Sequence, residues 1–237
     1  MAAAPLPLAS FTGAIEFIFT PQPSNVTGGE LVGGFSQSME LLLTQIEVTV
    51  LALAISLAIG LPLGLLLGHR GRGELIAVGL GNAGRAIPEL AIIALVASLI
   101  GVGLITVTPA LAILGIPPIL TNAYVGVRQV DPAAVAAARG MGMTELEVIR
   151  RVELPLAIPT IMGGVRGAAI VIVATATIAP LAGVVTLGDY IINRSVYGSD
   201  GVLAGAILVA VLALVLEFSL AGLQRLLTSD GLKLQKS

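Results

Sequence analysis

From Leu90 to Val127 the chain runs for 38 residues without an Asp, Glu, Lys or Arg. One helix of that length would extend roughly 57 Å at 1.5 Å per residue, far more than the about 30 Å hydrocarbon core of a bilayer. The run must therefore fold back on itself, and Gly101, Gly103 and Pro109 mark the turn. Two further uncharged runs are Val48–Gly68, with 21 residues, and Gly167–Gly188, with 22. Only 11% of the 237 residues are charged and 56% are apolar, whereas soluble domains carry about 25% charge. Too few charges are available to cover a surface in water, so lipid is the solvent.

Five spans are expected, at about 41–68, 75–100, 108–127, 161–188 and 201–227, within a transmembrane domain covering 41–227. The first carries Glu47 in its outer part. The second is interrupted by Arg85, Pro88 and Glu89, and the fifth carries Glu217. Residues 1–40 form an N-terminal external or interfacial segment. Within it Phe11–Phe19 is apolar but too short to span, and reads as an interfacial helix or a loop-packed segment. Met1–Ser10 has no basic residue ahead of its apolar part and does not read as a signal peptide. Residues 228–237 are a tail. With the N-terminus outside, eleven of the twelve Lys/Arg residues fall on the inner side and only Arg194 falls outside, a strong positive-inside bias. The C-terminus and residues 129–159 are then cytoplasmic, and the loop Asp189–Asp200 is external.

Residues 129–159 are a charged island in this apolar chain. Asp131-Pro132 reads as a helix start, Asp as N-cap and Pro at the first helical position. Ala133 to Arg139 has high helix propensity. Gly140 and Gly142 end or bend that helix, and Thr144 with Glu147 forms a capping box for a second, which runs to Leu154. Pro155 and Pro159 steer the chain back to the bilayer. The result is helix, glycine turn, helix, with a shallow alanine face that could seat in a groove of another protein.

Other chemistry finds little support. Net charge is −2, against the concentrated Lys/Arg that nucleic acid requires. The chain has no cysteine and therefore no disulfide or thiolate metal site. Its only lysines, Lys233 and Lys236, lie outside any Gly-Lys-Ser/Thr sequence, so it has no Walker-type nucleotide site. His69, the single histidine, reads as an interfacial residue at a helix end. Asp189 has no apposed second Asp for intramembrane aspartyl chemistry. The chain is not expected to be an enzyme. Intramembrane ionisable residues usually face the bundle interior or a cavity. Arg85 and Glu89 have i,i+4 spacing for an internal pair, while Glu47, Glu89 and Glu217 are candidates to line a translocation path. Repeats of glycine every four residues at Gly60/Gly64/Gly68, Gly163/Gly167 and Gly201/Gly205 are read as close helix packing within one subunit, with a dimer seam as the alternative.

Ala137-Ala138, three residues, Gly142, nine residues, then Val152-Glu153-Leu154-Pro155 resembles the EAA loop of permease subunits of bacterial binding-protein-dependent ABC importers. The family's Glu falls here on Ala136, which removes one possible charged contact. Within that family, Arg85-Ala86-Ile87-Pro88, Asp131-Pro132, Ala137 to Thr144, Val152 to Pro159 and Leu187 to Ile191 look most like the osmoprotectant permeases for glycine betaine, choline or carnitine. Val185-Thr186 departs from the glycine usual there. The resemblance implies an all-α, polytopic membrane protein with the five-helix core of the type I (MetI-like) importer permease fold and a cytoplasmic coupling helix. It implies a bacterial inner (plasma) membrane location, a second permease subunit, identical or related, and docking of ABC ATPase subunits on Ala136, Ala137, Ala138, Gly142, Val152, Leu154 and Pro155. An extracytoplasmic substrate-binding protein would dock near Asp189, Arg194 and Asp200. No cofactor is expected in this chain, since ATP and Mg belong to the ATPase. Alternatives are an uptake permease for another small solute, such as the amino acid methionine, or an ion-coupled secondary transporter or channel.

Overall fold

A computed structural model describes residues 9–26, 29–71, 73–75, 79 and 88–228. The described chain is helical apart from a two-stranded ribbon, β1 (Pro21–Pro23) paired antiparallel with β2 (Leu31–Gly33). The helices are α1 (Phe11–Phe19), α2 (Gly34–His69), α3 (Glu89–Ile100), α4 (Leu104–Arg128), α5 (Pro132–Gly140), α6 (Glu145–Val148), α7 (Leu154–Thr175), α8 (Gly188–Ile192) and α9 (Arg194–Leu227). Among the described residues four helical segments are long and apolar enough to cross a membrane: α2, α4, Glu145–Ala182 and α9. Of the expected second span the structure describes α3, while Arg85 and its expected pairing with Glu89 lie outside the described residues.

Several boundaries differ from the sequence expectation for physical reasons. Helix α2 starts at Gly34 rather than near Leu41, because Gly33 and Gly34 turn the chain out of β2 at positive φ and Gln37 Oε1 accepts the Gly33 N–H at 2.5 Å. Residues 34–40 are thus helical and continuous with the residues of the first expected span. The expected span 161–188 is not one α-helix. Helix α7 runs from Leu154 to Thr175, and a 3₁₀ turn, Ala176–Ala182, follows with Pro180 inside it. Pro180 has no N–H and its ring crowds the carbonyl four residues earlier, which disfavours an α-helix there. Thr186 Oγ1 donates to Ala176 O at 2.8 Å and closes this unwound segment. The expected external loop Asp189–Asp200 is instead the helix α8 and the first turns of α9, which is broken at Gly198 (φ 69°, ψ −173°).

Contacts divide the chain into two units. The first comprises residues 1–51, 90–110 and 173–214. Its core gathers Phe17, Val32, Leu41, Leu187 and Tyr190, with Phe17 edge-on to Tyr190 at 5.2 Å between centroids. Gln45, fully buried, donates to Val173 O at 2.9 Å, and the N-cap Ser10 accepts from Gly13 N–H at 2.9 Å. Gly201 and Gly205 pack inside this unit, where an added Cβ would meet Phe17 and Tyr190.

The second unit comprises residues 52–89, 111–172 and 215–237. Its core is Ile119, Ala123, Val127, Ala157, Ile161 and Val165. The glycine ladder of α2 lies directly on α4. A Cβ at Gly60 would approach Ile116 O to 3.0 Å, one at Gly64 would approach Leu120 O to 2.6 Å, and one at Gly68 would approach Tyr124 O to 3.0 Å. Each step of four residues on α2 meets a step of four on α4, so this repeat builds the subunit itself. Gly163 and Gly167 differ, since an added Cβ there meets nothing within 4 Å. Arg166 on α7 donates from Nε to Glu217 Oε1 on α9 at 2.9 Å and from Nη1 to Gln224 at 3.1 Å.

Candidate functional site

The charged island folds as a compact helical hairpin within the second unit. Asp131 caps α5 as its sequence implies, accepting the Ala133 N–H at 2.8 Å, with Pro132 at the first position. After α5 the chain reverses through Gly142, whose φ of 82° is left-handed and costs a residue with a Cβ roughly 1–2 kcal/mol. Thr144 and Glu147 then form the expected capping box. Thr144 N–H donates to Glu147 Oε2 at 3.0 Å, and Glu147 N–H to Thr144 Oγ1 at 3.4 Å. The Thr144 backbone N–H holds the Glu147 carboxyl below the usual carboxylate range.

The hairpin's two arms are joined across the turn. Arg139 Nη2 donates to Glu145 Oε2 at 2.9 Å and Nε to Oε1 at 3.2 Å. This contact pushes the Arg139 guanidinium further up and holds the Glu145 carboxyl down. A second pair, Arg151–Glu147, has i,i+4 spacing at 3.5 Å.

Val152-Glu153-Leu154-Pro155 does not end the second helix. The turn Ile149–Glu153 widens into π register, with Leu154 N–H donating to Ile149 O, and continues into α7 without a break. An α-helical proline collides with the carbonyl four residues before it. The extra residue in the π turn relieves that crowding ahead of Pro155, and such turns recur at functional sites. Pro159 likewise lies inside α7. The hairpin is therefore mechanically continuous with a membrane-spanning helix.

The expected docking residues divide by exposure. Ala136, Ala137 and Gly142 are exposed, Ala138 is buried, and Val152, Leu154 and Pro155 are half-buried. The exposed pair, with Met141 at 72% and Leu146 at 55% exposure, gives the hairpin tip a small apolar surface. Beside it a cavity of ≈ 260 Å³ is lined by His69, Arg128, Val135, Ala136, Arg139 and Glu153. His69, read as an interfacial residue, has a partner at each ring nitrogen. Its side chain is 10% exposed, with Nδ1 2.8 Å from Glu153 Oε2 and Nε2 3.0 Å from Glu145 Oε2. Glu153, part of the Val152–Pro155 motif but not among the expected docking residues, is itself buried.

The other candidates lie elsewhere. Glu47, in the first unit, lines a cavity of ≈ 450 Å³ with Gln37, Glu40, Thr44 and the segment Gly183–Val185. These side chains recur at three to four residues, so they form one polar stripe on α2. Glu89 is the exposed first residue of α3. Glu217 is bound to Arg166. Glu47 belongs to the first unit, and Glu89 and Glu217 to the second. Asp189 accepts from Asn193 at 2.6 Å and from the Tyr197 hydroxyl at 2.5 Å. Asp200 accepts the Ser10 N–H at 2.8 Å, and Arg194 donates to Ser199 at 2.9 Å. Among the described residues no group of three or more His, Cys, Asp or Glu is arranged to hold a metal.

Comparison with known proteins places this architecture. Residues 60–229 match the family described as binding-protein-dependent transport system inner membrane component. The chain is 36% identical to a carnitine transport permease protein, OpuCB, of Listeria monocytogenes, over 83% of this chain and 89% of that one. It is also 36% identical to a choline transport system permease protein, OpuBB, of Bacillus subtilis, over 79% of this chain and 87% of that one. Among solved structures it shares its fold with an inward-facing MetNI methionine ABC transporter, with a TM-score of 0.70 and 20% identity over 82% of this chain and 98% of that one. A structure of an amino acid ABC transporter with histidines gives a TM-score of 0.62 at 26% identity, over 79% of this chain and 92% of that one. The hairpin lies inside the matched region, as do the helices from the last turns of α2 onward. The chain belongs to the family of binding-protein-dependent transport system inner membrane components, the permease subunits of bacterial ABC importers.

Proposed function

We propose that this chain forms the translocation path for osmoprotectant quaternary amines, such as glycine betaine, choline or carnitine, and is driven by separate ATPase subunits that dock on the α5–α6 hairpin. The hairpin carries the reading. It is capped at both starts, cross-linked by Arg139–Glu145 and fused through the π turn to α7. A rigid, apolar-tipped lever continuous with a spanning helix can pass a push from a soluble partner into the membrane. Ala136, Ala137, Met141 and Leu146 supply the exposed contact, and Gly142 sets the turn. Ala138, Val152, Leu154 and Pro155 hold the lever's base. ATP and Mg act on the partner, which moves the hairpin only by binding the inward- and outward-open states differently.

The hairpin faces the cytoplasm in this reading, as does the C-terminus, because eleven of the twelve Lys/Arg residues then lie inside. A second permease subunit completes the pore, and the open face at Gly163 and Gly167 is the place for its approach. Aromatic residues make up 3% of the chain and Trp is absent, whereas ammonium ligands are best held in aromatic cages. High-affinity capture is therefore assigned to an external binding protein that docks near the α8–α9 elbow, at Asp189, Arg194 and Asp200. The acidic stripe with Glu47 suits a cation passing through. Methionine or another small solute as cargo is favoured only by structural neighbours, at 20% and 26% identity. The test is uptake of labelled choline, carnitine and glycine betaine by cells carrying the complete transporter. Uptake that disappears when the ATPase subunit is deleted is expected, and uptake that survives the deletion would identify an ion-coupled transporter instead.

A further inference from the structure

We propose that His69 is a positioning residue that latches the coupling hairpin to the end of α2, as an imidazolium held between Glu153 and Glu145. The inference rests on the reading of the hairpin as the ATPase dock. His69 is the last residue of α2, and its ring touches two other segments at once. Nδ1 lies 2.8 Å from Glu153 in the π turn, and Nε2 lies 3.0 Å from Glu145 at the start of α6. Through Glu145 the link extends to Arg139 on α5. One small ring thus joins a spanning helix, both arms of the hairpin and the turn that leads into α7.

Counting donors gives the reason for the imidazolium. A neutral imidazole has one N–H and one lone pair, and both nitrogens donate only in the imidazolium. With a carboxylate at each nitrogen, both contacts are attractive only when the ring carries both protons. The two contacts are unequal. The Glu153 side chain is 6% exposed and the Glu145 side chain 61%. A buried carboxylate needs its partner, so Glu153 is the anchor. An exposed pair is worth little on its own, so Glu145 is the end that can let go when the hairpin is pushed. The charged groups around the ring are Arg70, next in the chain just past α2, Arg128 from α4, Arg139 from α5, Glu145 from α6 and Glu153 from the π turn. A ring with a single N–H would leave one nitrogen's lone pair facing a carboxylate.

The chain has one histidine and no cysteine, which makes the test clean. Spin labels at Leu66→Cys and Leu146→Cys, both exposed positions, report the distance from α2 to the hairpin in the full chain in lipid bilayers. ¹⁵N-histidine labelling reports the protons on the single imidazole. A narrow distance while the ring is an imidazolium is expected, with loss of that narrow distance following the ring's deprotonation. The narrow distance should be lost at every pH in His69→Leu, weakened in Glu145→Gln, and kept at every pH in His69→Arg, whose charge is permanent. Should His69→Leu fail to fold, Glu145→Gln and His69→Arg still decide. A distance indifferent both to these variants and to the ring's protonation would overturn the latch. Because the measurement uses no ATPase, it is independent of docking. A wild-type chain that recovers no ATPase subunit would overturn the docking reading and leave the latch to the label distances.

Discussion

Gly64→Ala and Gly163→Ala are one chemical change made in two different surroundings. A Cβ at Gly64 would stand 2.6 Å from Ala123 Cβ and 2.6 Å from Leu120 O, while at Gly163 it would meet nothing within 4 Å. Non-bonded carbons settle about 3.5–4.0 Å apart, so the methyl at 64 requires α2 and α4 to separate by about 1 Å. One of the atoms it meets is backbone and cannot swing aside. Overpacking of this kind costs about 1–3 kcal/mol. Against it stands the helix-propensity gain of Gly→Ala, up to about 1 kcal/mol, which is common to both variants and cancels in their difference. Gly64→Ala should therefore be less stable than Gly163→Ala by about 1–3 kcal/mol, a factor of roughly 5 to 150 in the unfolding constant at 1.4 kcal/mol per tenfold. Reversible unfolding of the detergent-solubilised chain by SDS titration measures this directly. Equal effects at the two sites, or a larger loss at Gly163, would refute the assignment of the Gly60/Gly64/Gly68 ladder to packing within one subunit.

Three further predictions concern the hairpin and the intramembrane ion pair. Gly142→Leu places a branched side chain at a left-handed φ of 82° and should abolish ATPase association and uptake while leaving insertion intact, as read by co-purification and by membrane fractionation. Arg166→Met alone leaves Glu217 without its partner and should destabilise the chain more than the double change Arg166→Met with Glu217→Leu, since removing one member of a shielded pair costs more than removing both; SDS titration of the two variants checks the order. The carboxyls of Glu145 and Glu147 are held low in the folded hairpin, by Arg139 and by the Thr144 N–H respectively. Their contribution is thus complete above the ordinary carboxylate value and is lost as the pH falls through the lower folded values. Protection of the Thr144–Val148 amides, taken relative to their intrinsic exchange rates, should fall below about pH 4.5, by less in Glu147→Gln, and should not change in that range in the double change Glu145→Gln with Glu147→Gln.

The four apolar helices long enough to cross a membrane were legible because charge is costly in lipid, so that a run of twenty or more uncharged residues marks a segment lipid can surround. The sequence revealed the hairpin's starts because Asp131-Pro132 and the Thr144–Glu147 box are local signals whose partners lie within three residues. It failed at the prolines, which one rule treats alike. Pro180 does end an α-helix, whereas Pro155 is absorbed by a π turn and Pro159 by α7. Nothing short-range distinguishes these cases. The ring of His69 and the carboxylate of Glu153 are 84 residues apart, so only the fold could bring them together, and a lone histidine at a helix end gave no sign of a buried partner. The Glu47 stripe was legible as an intramembrane acid, but its companions Gln37, Glu40 and Thr44 emerged only once α2 was seen to begin at Gly34.

The most direct test of the account is to pull the tagged chain from native membranes and identify by mass spectrometry what accompanies it, for the wild type and for Gly142→Leu. Recovery of an ATPase subunit with the wild type and its loss from Gly142→Leu is the predicted result. A wild-type chain that emerges alone or only with itself, or an ATPase retained undiminished by the variant, would contradict the claim that the α5–α6 hairpin is where this permease is driven.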